Sequence, residues 1–94
     1  MMTFDSFKQE ALDAGFDEVV ERQWDADVFL DTHTHPVSVS VLVVKGEMWL
    51  GMHGTTRHLT PGSTFEVGYE EPHSERYGPE GATYWVARKK QTIM

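Results

Sequence analysis

Residues 33–44 read HTHPVSVSVLVV. Two signals meet in this stretch. Val37–Val44 is rich in β-branched residues and alternates at its start, the pattern of a half-buried strand. Just before it, one residue separates His33 from His35. In an extended chain, residues i and i+2 point to the same side, about 6.6 Å apart. Both imidazoles can then reach one metal ion while Thr34 faces away. The same alternation puts Val37, Val39, Val41 and Val43 on one face, and Ser38, Ser40, Leu42 and Val44 on the other.

Downstream, Gly46 marks a turn, and Glu47–Met52 is predicted to return as a strand with Met48, Leu50 and Met52 in the core. Trp49 and Trp85 are expected to pack on sheet faces. A tight turn at His53-Gly54-Thr55 leads to a strand at Thr56–Leu59, and Pro61-Gly62 is a strong turn signal. Thr64–Val67, His73–Tyr77 and Thr83–Arg88 follow as strands, with turns at 68–72 and 78–81. Upstream, Asp17–Trp24 and Val28–His35 read as strands. About eight short strands with closely spaced turns imply a β-sandwich or barrel. Residues 3–14 are predicted as a helix, in which Phe4, Phe7, Ala11 and Leu12 form one apolar stripe covering an end or edge of the sheet. Thr3 caps its start and Gly15 stops it. The expected organisation is a single domain over residues 1–94, with a helical arm at 1–16 and a β-barrel at 17–90.

The chain of 94 residues has no cysteine, which excludes disulfides, thiolate zinc sites and a thiol nucleophile. It has no apolar run long enough to span a membrane. The opening MMTFDSFKQE lacks a basic segment followed by an apolar one, so a cytoplasmic location is expected. The net charge of −7 argues against tracking a nucleic-acid backbone. That charge resides in residues 1–31, and residues 32–94 are balanced.

Five histidines are a high count for this length. A third ligand beside His33 and His35 has to come from another strand. His73, at the start of a late strand and just after a turn, is a candidate. His53 and His58 flank a hairpin and read as solvated. Asp31 shares the parity of His33 and His35 and is placed to orient one of them. Tyr77, four residues after His73, also has inward parity and is the candidate catalytic hydrogen-bond or proton donor. Glu75 and Arg76 are expected to face outward or sit at the rim.

These positions resemble the two motifs of the cupin superfamily. In the first, His33, His35 and Gly46 fall in register, with Asp27 at the leading glycine position and Val39 at the position of the glutamate ligand. In the second, Gly62 and His73 match, and Gly68, Glu70 and Tyr77 stand at the Pro, Gly and Asn positions. The resemblance spans residues 17–90. It implies a small all-β double-stranded β-helix, or jelly-roll barrel, preceded by the helix. It also implies a metal held by His33, His35 and His73. Three imidazoles suit Fe first, with Ni, Zn, Cu or Mn as alternatives. Without the glutamate, a divalent ion keeps its full charge and draws an anionic ligand more strongly. The implied function is binding or transformation of a small anionic organic molecule, by dioxygenase-like or isomerase-like chemistry. The alternative is a metal-free binding or sensing barrel. A homodimer is expected, paired through the apolar Leu42, Val44 and Trp85.

Overall fold

The structure, a computed structural model, describes residues 2–90. Residue 1 and residues 91–94, included in the single-domain expectation, lie outside the described residues. Helix α1 (Phe4–Asp13) opens the chain. Thr3 and Ser6 cap it reciprocally: each side chain accepts a hydrogen bond from the other residue's backbone N–H. Strands β1 (Glu18–Trp24), β2 (Phe29–His33), β3 (Val37–Met52), β4 (Thr55–Leu59), β5 (Thr64–Val67) and β6 (His73–Lys90) follow.

All strand pairs are antiparallel. β3 and β6 pair along almost their whole lengths and bend together. Their outer stretches, Val37–Val43 and Tyr84–Lys90, carry β5 on one side and β1 on the other. Their other stretches, Met48–Gly51 and Ser74–Tyr77, carry β4 and β2. Counting β3 and β6 once in each half recovers the eight predicted segments. This is the jelly-roll arrangement.

The turns expected at Gly46 and at 78–81 are not turns; both lie inside continuous strands. They are bends where the ladder slips register. Gly46 and Gly81 have φ of 76° and 73°. A Cβ on Gly46 would strike the carbonyl oxygen of Gly81, and one on Gly81 would strike that of Trp24. Three strands therefore cross in contact at the bend, a place only glycine can occupy.

The bend also switches parity. Val41 and Val43 point inward before it and Met48 and Leu50 after it, all at most 2% exposed. Phe65, Val67, Tyr77 and Val86 complete the core between the halves. On the outer face, Ala11, Val19 and Ala87 form a second cluster with Phe4, Phe7 and Phe16 packed against it. Trp85 is edge-on to Phe4 and tilted against Phe7, with centroids 5.6 and 5.9 Å apart. Leu12, expected in the helix's apolar stripe, is instead 41% exposed. No described helix is long and apolar enough to cross a membrane.

Candidate metal centre

His33 ends β2, His73 begins β6, and the two are direct cross-strand partners. A register irregularity in β2 between Leu30 and His33 aligns them. His35 lies two residues further on, where its carbonyl accepts from the Glu70 backbone N–H at 2.8 Å. One ligand atom from each of the three rings lies within 4.8 Å of those from the others. The strand expected to run to His35 stops at His33, so cross-strand pairing and the short connection that carries His35 assemble the expected trio.

The ring nitrogens are oriented. His33 Nδ1 donates to the Asp31 carbonyl at 2.7 Å, and His73 Nδ1 donates to the Glu71 carbonyl at 2.9 Å. A carbonyl can only accept, so both Nδ1 atoms carry hydrogen. In a neutral ring, that leaves the Nε2 lone pair as the one a metal ion would take. Asp31 therefore orients His33 through its backbone, while its carboxylate caps the Thr32 N–H. Burial, then the neighbouring imidazoles of His33 and His73, lower the proton affinity of His35. A neutral ring is the form that binds metal.

Glu75 does not face outward. It is 5% exposed, and its Oε2 lies 3.4 Å from His33 Nε2 and 3.7 Å from His73 Nε2. The signal was available: Glu75 is two residues after His73 and two before Tyr77, so strand parity points all three inward. Arg76 faces out, over the ring of Trp49 at 4.9 Å. Tyr77 is 1% exposed and stacks on Trp24 with centroids 4.9 Å apart. Its hydroxyl donates to Glu75 Oε1 at 2.6 Å. Burial above all, then Tyr84 and Glu75, push the Tyr77 hydroxyl far above its ordinary range, so it stays protonated.

The trio opens into a cavity of about 360 Å³ between the two halves. Val37, Val39, Val41 and Val86 supply apolar wall, and charges of both signs line it, Arg22, Arg88 and Lys90 against Asp17 and Glu18. Val39 points in and lines the same cavity as the histidines, as the family register implies. His53 and His58 lie elsewhere. His53 meets Glu71 at 2.7 Å; His58 meets Glu47 at 2.8 Å and stacks on Trp49.

Among solved structures, an RmlC-like cupin from Shewanella frigidimarina superposes with a TM-score of 0.69 and 25% identity, over 78% of this chain and 65% of its own. The chain belongs to the cupin superfamily. KdgF from a Halomonas species matches this cupin with a TM-score of 0.65 and 20% identity, over 78% of it and 68% of KdgF. The DMSP lyase DddQ from Ruegeria pomeroyi matches at 0.66 and 23%, over 81% of this chain but only 38% of the lyase. This cupin therefore spans about two thirds of its small relatives and much less of the lyase. No protein-family model and no curated protein sequence matches it.

Proposed function

We propose that this cupin holds a divalent transition metal through His33, His35 and His73, and binds or transforms a small anionic organic molecule in the adjoining cavity. One observation carries the reading. Two Nε2 lone pairs, fixed by carbonyl acceptors on the far side of each ring, converge on a buried carboxylate oxygen. Acceptors that face one another repel unless a proton or a metal ion lies between them. A metal ion meets that requirement, and imidazole with carboxylate is the donor set of Fe²⁺ and its neighbours.

Glu75 supplies the negative charge that Val39 does not, from a different strand. Tyr77 acts through Glu75: its hydroxyl occupies one carboxylate oxygen and turns the other toward the histidines. The metal, when bound, supplies Lewis acidity and positions open to a ligand. The protein supplies a largely apolar cavity with both cationic and acidic side chains at its wall. Dioxygenase-like or isomerase-like turnover suits such a site. A lyase among the structural relatives is a reminder that the fold hosts small-molecule chemistry of several kinds.

The deciding experiment is metal analysis of protein purified without a histidine tag. Stoichiometric Fe, Ni, Zn, Cu or Mn, lost in the double variant His33→Ala, His73→Ala, is the expected result. A chain that binds none of these ions refutes the reading. Val39 at the glutamate position favours a second one, a binding or sensing barrel. That reading expects ligands to raise the melting temperature without being consumed.

Residues 1–94 are read as one cytoplasmic cupin domain, 1–16 its arm and 17–90 its barrel, working as a homodimer. Leu42 and Val44 on the outer sheet face are the apolar surface offered for pairing, because Phe4 and Phe7 already cover Trp85. Sedimentation of a 10.7 kDa particle at micromolar concentration would refute the dimer.

A further inference from the structure

Directly across the ladder from Val39 stands Arg88 on β6. Both side chains line the cavity. Same-face partners on adjacent antiparallel strands are near neighbours, with Cβ atoms about 4.5–5.5 Å apart. At the position where the family pattern has a metal-binding carboxylate, this chain therefore has an apolar side chain with a guanidinium beside it.

The ion-pair partner of Arg88 is Glu18, at 3.3 Å and on a side chain 53% exposed. A long, solvated contact of this kind holds a guanidinium weakly. The guanidinium fork is shaped for the two oxygens of a carboxylate. Val37, Val39, Val41 and Val86 give the cavity an apolar stretch of wall for the rest of a ligand, while Asp17, Glu18, Arg22 and Lys90 also line it. The volume, about 360 Å³, is that of a small-molecule site.

We propose that Arg88 is the specificity-determining residue of this site: it takes the carboxylate of a small ligand with an apolar body, and that carboxylate fills the space that Val39 leaves beside the histidines. The ligand brings the acid that the chain itself lacks at this position. The inference rests on the proposed metal reading for the orientation of the carboxylate toward the histidines. The contact with Arg88 stands without it.

The test uses butyrate and its neutral isostere butyramide as probes, with calorimetric titration of the Zn²⁺-loaded and the metal-free chain. Butyrate is expected to bind the loaded chain at least about tenfold tighter than butyramide, the scale of a charge-assisted pair. Arg88→Gln should erase that preference while retaining Zn²⁺, and Arg88→Lys should restore part of it. Glu18→Gln, which removes the competing carboxylate, should leave butyrate binding equal or tighter. Val39→Glu should abolish butyrate binding and tighten Zn²⁺ binding, because the new side chain takes the ligand's place. Circular dichroism of each variant establishes that it is folded. An Arg88→Gln chain that still prefers butyrate to butyramide overturns the assignment. If no Zn²⁺ binds, the metal reading fails by itself, and butyrate against Arg88→Gln in the metal-free chain still decides the role of Arg88.

Discussion

The histidines divide into two groups that look alike by residue type and differ in what holds them. Each of the five except His35 has a ring nitrogen within 4 Å of a glutamate oxygen. In the cavity, Glu75 lies 3.4 and 3.7 Å from His33 and His73, longer than a hydrogen bond, and the opposite nitrogen of each ring is spent on a backbone carbonyl. On the surface, His53–Glu71 and His58–Glu47 close at 2.7 and 2.8 Å, which are ordinary hydrogen bonds. His53 and His58 are completed by their glutamates. His33 and His73 are not, and their Nε2 atoms and the Glu75 carboxylate together offer a donor set for a cation. Pairing with a carboxylate therefore does not mark a metal site; an oriented ring whose second nitrogen remains unsatisfied does.

Substitution of His73 is the strongest way to break this contrast. His73→Ala should weaken metal binding by more than about a hundredfold, since even residues that only orient a ligand commonly contribute about 10- to 100-fold. Competition with a chromogenic chelator measures it. Retained tight binding would remove the distinction between the two groups.

Glu75→Gln tests the same contrast with a sign change. The amide preserves shape and can still accept from Tyr77, while its N–H₂ can donate to an Nε2 lone pair. Metal affinity should fall about 10- to 100-fold. The metal-free chain should unfold no more easily than the parent, and be more stable by about 1 kcal/mol if the new hydrogen bond forms. A marked loss of stability in the metal-free variant would mean that the carboxylate is already satisfied and that no cation is required. Tyr77→Phe is milder. It removes the 2.6 Å hydrogen bond that aims Glu75, so metal affinity should drop by up to about tenfold. The melting temperature should fall by the equivalent of about 1.5–3 kcal/mol, the scale of a hydrogen bond to a charged group.

Much of this architecture is legible in the residues themselves. Alternation at Val37–Val43 groups the valines on one face, and Val39 does line the cavity with the histidines. Parity counted from His73 points Glu75 inward as well, where its carboxylate meets the histidines. Two other features are not local. Gly46 and Gly81 read as turns because glycine punctuation cannot distinguish a hairpin from a contact between crossing strands. That contact, Gly46 against Gly81 against Trp24, exists only once three distant segments meet. The facing of Val39 and Arg88 depends on the register of β3 against β6, and no periodicity within either strand encodes it.

The surface pair supplies the smallest expected effect and the control that gives the others meaning. His53 has 69% of its side-chain surface exposed and His58 has 48%, and exposed ion pairs contribute about 0–1 kcal/mol each. His58→Ala also removes a ring stacked on Trp49, so it should destabilise slightly more than His53→Ala, with neither exceeding about 1 kcal/mol in denaturant titration. Metal affinity should change less than twofold in His58→Ala. His53→Ala is the more searching of the two. It frees Glu71, whose carbonyl orients His73. Glu71 is also fixed by the Gly68 backbone N–H, which its carboxylate accepts at 2.8 Å. That second anchor should hold the carbonyl in place and keep metal affinity within twofold. A larger drop would mean that the hairpin histidine reaches the site through Glu71, and that the two groups of histidines are one connected system.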